Sequence, residues 1–221
     1  MKSQFFFEAS RAIAFLLILM SIVIGFTKVK RLSNDQQILL ALLIIVLAVE
    51  SFSLIPWSFG VNNFYIYHFY SVVEFLLLGS LYKKHLDGLI KSIYTLVLMI
   101  AFVTFALINA LFFQSLNEFN SNVTFTECLL LIILSILYFY KLLRDLDHKK
   151  LERVPMFWIS MSVLTYFSGA LILFHVANEL IPIPQEERVA VWGTHALFNV
   201  VHYFLYGVAL SIAPESQKSG N

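Results

Sequence analysis

Seven runs of about 20 predominantly apolar residues divide this 221-residue chain. At about 1.5 Å per residue, each is long enough to cross about 30 Å of hydrocarbon. In lipid every backbone N–H and C=O must be satisfied within the protein, which leaves only helices or a closed barrel. The runs are continuous rather than alternating, and that excludes the barrel. The sequence therefore predicts an all-α membrane protein with seven transmembrane helices, at about residues 9–27, 37–57, 62–82, 90–113, 123–143, 155–178 and 190–212. Residues 1–213 form a single domain on this reading, and 214–221 a polar tail.

The composition agrees, with 59% hydrophobic residues, 13% charged and a mean hydropathy of +0.80. A soluble domain is nearer half apolar and a quarter charged. The net charge of +1 excludes a strongly basic nucleic-acid binder. A single cysteine, Cys128, excludes an intramolecular disulfide and CxxC metal motifs. No glycine-rich phosphate loop, G-x-S-x-G or H-E-x-x-H is present. Lys2 before an apolar stretch looks like a signal peptide. No small-x-small site follows it, and Lys28, Lys30 and Arg31 come directly after, so we read a retained first helix with Glu8 and Arg11 as an interfacial ion pair.

Lys and Arg set the orientation. Lys28, Lys30, Arg31, Lys83, Lys84, Lys91, Lys141, Arg144, Lys149, Lys150, Arg153 and Lys218 fall on one side, and only Lys2, Arg11 and Arg188 on the other. The first, third and fifth loops and the C-terminus are thus expected in the cytoplasm, and the N-terminus outside. The third and seventh spans align as Ser71-Val-Val-Glu74-Phe-Leu-Leu-Leu-Gly79 and Asn199-Val-Val-His202-Tyr-Phe-Leu-Tyr-Gly207. A fainter match joins Glu50–Ser53 to Thr165–Ser168. Together they point to a possible parallel repeat of three helices, one linker helix and three helices.

Ionisable residues inside spans are costly, about 2.5–3.5 kcal/mol for a central charge, and face the bundle interior. Here they are Glu50, His68, Glu74, Glu127, His175, His195 and His202. Counting along the helices puts Glu74 and His202 about 18 Å from the outer boundary and the other five within about 10 Å of it. Tyr70 and Glu74 share a face of the third span, and His195, Asn199 and His202 a face of the seventh. We expect these nine positions, Tyr70 and Asn199 included, to line a polar chamber among spans two, three, five, six and seven, opening outward. Spans one and four are expected at the periphery. A Glu74–His202 clasp is the expected centre. Several positions have plainer readings: Glu127 and His175 as interface residues, and His68 as a donor to a backbone carbonyl.

The leading functional expectation is a sensor, receptor or transporter binding a small polar or ionisable ligand. The scarcity of ionisable groups in the inner half favours sensing. The Tyr-rich stretch from Asn62 to Glu74, with the terminal Trp192-x-x-His195-x-x-x-Asn199-x-x-His202 span, resembles small multi-pass membrane proteins of Bacteroidetes-type bacteria. That resemblance implies a bacterial inner membrane and no activity. The three-one-three order is similar in architecture to SWEET-type sugar transporters and to rhodopsins. The proline–glutamine of the former falls in a loop, as Pro184-Gln185, and the lysine a retinal Schiff base needs is absent from span seven. The alternative is an intramembrane zinc hydrolase, resembling alkaline ceramidases and progestin/adiponectin-type receptors, with His195, His202, His68 and Glu50 as metal ligands and a bound water as nucleophile. Asn199 stands where the second histidine of their His-x-x-x-His would be, so no cofactor is predicted. Axial histidines for haem or quinone, His68, His175 and His195, are a third class, and a structural subunit a fourth. Lipid and the small ligand are the expected partners; nucleic acid is not.

The orientation is directly testable. A reporter fused after Asn221 should read cytoplasmic and a tag before Met1 external. External labelling at Lys83 or Lys149 would overturn it.

Overall fold

The computed structural model describes residues 2–59, 62–145, 150–180, 182 and 184–212, with no account of the side chains of 2 and 54–58. The expected tail 214–221, with Lys218, and the loop residue Lys149 lie outside the described residues. Among those described there are seven α-helices and no strand: α1 (Lys2–Thr27), α2 (Asn34–Ser58), α3 (Phe64–His85), α4 (Ser92–Phe112), α5 (Ser121–Arg144), α6 (Pro155–His175) and α7 (Gln185–Ser211). The boundaries fall within a few residues of those read from the apolar runs. Helices α1–α6 are long and apolar enough to cross a membrane. The seventh, at 27 residues, is as long. Its hydropathy is reduced by His195, Asn199, His202 and the tyrosines that follow.

Local chemistry sets the ends. Pro155 opens α6 at a position where its missing N–H costs nothing. Gly88, at φ 86°, supplies the left-handed residue that turns the chain from α3 toward α4. The last turn of α3 carries Lys83, Lys84 and His85, and the first turn of α7 carries Glu186 and Glu187, each opposite in sign to the helix-end dipole.

Helices α1, α2, α3, α5, α6 and α7 pack in that order into a closed ring, α7 returning to α1. Across the ring α2 touches α6 and α7. Helix α4 sits outside, against α3 and α5. It turns Thr95, Phe102, Ala106 and Asn109 inward and leaves Ile93, Val97, Ile100, Leu107 and Leu111 exposed, which is a lipid-facing pattern. The peripheral place expected for α4 is what the structure gives. Helix α1 differs, packing along α7 over much of its length. Small residues permit this approach, as is usual where helices associate in lipid. A Cβ added at Gly207 would lie 2.8 Å from Ser21 Oγ, and one at Gly193 3.0 Å from the Phe6 ring. Ser21 Oγ in turn donates to the Tyr203 carbonyl across the interface, at 3.3 Å. The α1 charges also differ from expectation. Glu8 accepts from Gln4, and Arg11 lies over the Phe7 ring at 5.3 Å, in place of a Glu8–Arg11 ion pair.

One end of the bundle gathers most of the basic side chains and ties the ring together. Asp35 accepts from Lys84 and from His85, both at 2.7 Å, joining α2 to α3. Lys141 of α5 donates to the carbonyls of His85 and Asp87 just past α3. Gln36, fully buried, donates to the carbonyls of Ala209 at 2.8 Å and Ile212 at 2.9 Å, and Lys28 donates to that of Ser211. These three bonds satisfy carbonyls that the last turn of α7 leaves without helical partners. At the opposite end, Asn178 bonds both the N–H and the carbonyl of Phe119, so the α6–α7 segment closes over the α4–α5 connection.

The tightest helix approach makes a prediction. A Cβ at Gly169 of α6 would stand 2.5 Å from the Phe198 ring of α7. Gly169→Ala is expected to cost about 1–3 kcal/mol by overpacking. Phe198→Leu should recover part of that loss in the double variant, measured by thermal unfolding in detergent, so that the two effects are not additive.

Candidate functional site

Two neighbouring helices each bury a carboxyl group in the ring. Glu74 of α3 is 7% exposed and Glu127 of α5 is 1% exposed. They lie within electrostatic reach of each other. Tyr70, one turn before Glu74, donates its hydroxyl to Glu74 Oε1 at 2.7 Å. Among the described residues no Lys, Arg or His forms a salt bridge with either carboxyl, and Glu127 Oε1 has no hydrogen-bond partner. Tyrosines surround the pair. Tyr166 of α6 and Tyr203 and Tyr206 of α7 are all within electrostatic reach of Glu74, and Tyr166 also of Glu127. The hydroxyl of Tyr206 is buried and has no partner among the described residues.

The histidines of α7 are built into this aromatic wall. His202 stacks between Tyr166 and Tyr206, with centroids 4.4 and 4.2 Å away. Its Nδ1 lies 2.8 Å from Ser162 Oγ, and Ser162 Oγ also donates to the His202 carbonyl at 2.8 Å. His195 Nε2 lies 3.1 Å from the Tyr166 hydroxyl, and its Nδ1 3.4 Å from Asn199 Nδ2. Phe174 and Trp192 pack edge-on to the His195 ring.

The expected Glu74–His202 clasp is therefore not formed: Glu74 accepts from Tyr70, and the His202 ring pairs with Ser162. Alignment of the third and seventh spans placed both residues at equivalent buried positions. Equivalence within two repeats does not make two side chains neighbours. Glu127 is buried within the ring of helices. Glu50 is half-buried near the wall, within electrostatic reach of Tyr203, Tyr67 and Arg11. Helix α1 thus brings Arg11 toward the group, which a peripheral placement did not foresee. His68 is buried with Nε2 3.0 Å from the Glu118 carbonyl, the plainer of its two readings. His175 is exposed and stacked at 4.8 Å on Phe125. The four residues considered for zinc are thus dispersed, and no three His, Cys, Asp or Glu side chains gather as a metal site among the described residues.

Tyr166, Tyr203 and Ser162 were not singled out from sequence, because tyrosine and serine in a span are ordinary packing and backbone-bonding residues. The half of the bundle nearer the basic end is also less empty than the ionisable residues alone implied. Tyr82 and Ser135 share a buried 2.6 Å hydrogen bond, and Tyr82 lies within electrostatic reach of Tyr206 on one side and Tyr138 on the other. Tyr138 in turn reaches Asp35 electrostatically.

No protein family, curated protein or solved structure matches this chain. The site stands on its own geometry.

Tyr70→Phe deletes the donor to a buried carboxyl and is expected to lower stability by about 1–3 kcal/mol. Tyr65→Phe, on an exposed position of the same helix, should change it by no more than about 0.5 kcal/mol. Equal effects in thermal unfolding would show that the Tyr70–Glu74 bond contributes nothing.

Proposed function

We propose that this multi-pass membrane protein crosses the bilayer seven times, N-terminus outside and C-terminus in the cytoplasm of a bacterial inner membrane. On this reading it binds a small polar or ionisable ligand at the Glu74–Glu127 group as a sensor, receptor or transporter. The observation that carries the ligand reading is Glu127 Oε1, a buried carboxyl oxygen with no partner among the described residues. Leaving such an acceptor unsatisfied costs about 1–3 kcal/mol, and more for an ion. A ligand that supplies the donor removes that cost and selects for donors.

Further features support the arrangement. Exchanging α1 with α5, α2 with α6 and α3 with α7 turns the α1–α7 contact into α5–α3 and leaves α2–α6 unchanged, in keeping with a parallel repeat, while the α2–α7 contact has no comparable α6–α3 counterpart. Phe75 and Tyr203, and Leu78 and Tyr206, are buried at aligned positions, whereas Val73 and Val201 are both exposed. Glu50, His195 and Asn199, nearer the end that would face outside, fit an entry side. The hydroxyls of Tyr82 and Ser135 beyond the carboxyls favour transport over one-sided sensing more than the sequence alone did.

The test is thermal stabilisation of detergent-purified protein by a panel of amines, amino acids, sugars and carboxylic acids. A compound that raises the Tm of wild type but not of Glu127→Gln or Glu74→Gln is the expected result. A panel with no effect on wild type, together with a Glu127→Gln protein more stable than wild type, would mark the carboxyl pair as a tolerated structural defect.

A further inference from the structure

Glu74 and Glu127 lie within electrostatic reach of each other, Tyr70, Tyr166, Tyr203 and Tyr206 lie within reach of Glu74, and among the described residues no salt bridge from a basic side chain balances either carboxyl. Glu127 Oε1 and the Tyr206 hydroxyl are buried without a hydrogen-bond partner among the described residues, and each residue is 1% exposed. Both are oxygen ligands. We propose that the Glu74–Glu127 site binds one monovalent cation, with a single proton retained between the carboxyls, and that protons compete with the cation for the site. This rests on the chamber reading above and names its occupant.

Charge and coordination select that occupant. Two ionised carboxylates in a low-dielectric interior repel, and burial of each is costly, so one proton and one monovalent ion bring the group to neutrality. A divalent ion would need both carboxylates ionised and six or more oxygens at short range. Here one Glu74 oxygen already accepts from Tyr70, and no third carboxylate or histidine completes a metal cluster among the described residues. Hydroxyl oxygens such as Tyr206 complete the shell of a singly charged ion, and tyrosine ring faces add attraction for it.

Titratable groups around the pair come from several elements, and on α1 Arg11 lies within electrostatic reach of Glu50. Tyr70 comes from α3, Cys128 from α5, Tyr166 from α6, and Tyr203 and Tyr206 from α7. His202 lies behind Tyr166 and Tyr206, His195 behind Tyr166, and Glu50 of α2 beyond Tyr203. The inward side chains of α4, Thr95, Phe102, Ala106 and Asn109, are non-titrating.

Thermal unfolding of the full chain in detergent, at constant ionic strength, tests the proposal. Sodium, potassium or ammonium chloride replaces N-methylglucamine chloride stepwise at several pH values. Wild type should be stabilised saturably by at least one of the three ions, and the half-saturating concentration should rise by up to about tenfold per unit fall in pH, as one-for-one proton competition demands. Preference for sodium or potassium identifies an alkali-metal site, and preference for ammonium a site for protonated amines. Glu127→Gln and Glu74→Gln should lose the response, while Glu152→Gln, on an exposed residue, should keep it. Wild-type stability indifferent to all three ions would overturn the inference. If an organic compound still stabilises wild type through Glu127, the chamber reading survives that result; if none does, both fall. The wild-type titration decides the matter even where a variant does not fold.

Discussion

Hydrocarbon offers no hydrogen bonds, so each polar atom in the transmembrane region must find its partner within the protein. The ring of helices is organised around that demand. At the basic end long side chains reaching across helix gaps meet much of it. Gln36 and Lys28 serve the carbonyls at the end of α7, and Lys141 those beyond α3. At the opposite end asparagines do the same work, with Asn178 holding Phe119 and Asn120 holding Ser71. Between the two ends the demand is met only in part. Glu74 has Tyr70 and His202 has Ser162, but Glu127 Oε1 and the Tyr206 hydroxyl have no partner among the described residues, and neither do Asn120 Oδ1 and Ser160 Oγ. Of these four, only Glu127 Oε1 belongs to a carboxyl, and it gives the functional proposal its physical basis.

The seven helices were legible because apolar run length is a one-dimensional property. Their ends were also nearly right, since Pro155, Gly88 and the charge clusters are local signals. Which residues face inward was legible from helical phase: Glu74, Glu127 and His202 are all buried. Pairing was not. Phase says that a side chain points to the centre, but not which of five other helices it meets there. Glu74 and His202 matched in repeat register, yet their partners come from Tyr70 on the same helix and Ser162 on α6.

Gln36 illustrates the same limit from the other direction. In the sequence it sits in a polar turn, Ser-Asn-Asp-Gln-Gln, that reads as a solvated helix start. The structure buries it completely beneath the end of α7. The misjudged place of α1 has a related origin. Helix α1 turns Ser21 and Phe6 toward α7 and Gly25 toward Leu40 of α2, residues that look the same to a hydropathy scale whether they meet lipid or a helix. Only close approach, marked at Gly207 and Gly193, distinguishes the two.

The packing of α1 on α7 also orders events during synthesis. A chain inserted helix by helix delivers α1 into the membrane first and its principal partner six helices later. Throughout that interval the face around Ser21 must rest against lipid or a helper protein. The ring cannot close until α7 arrives, and with it come His202, Tyr203 and Tyr206, which form one wall of the carboxyl site. Closure of the bundle and assembly of the site are therefore a single, late step, and a nascent protein halted before α7 holds Glu74 and Glu127 without that wall. The side chains gathered around the two carboxyls are thus complete only once the last helix is in place.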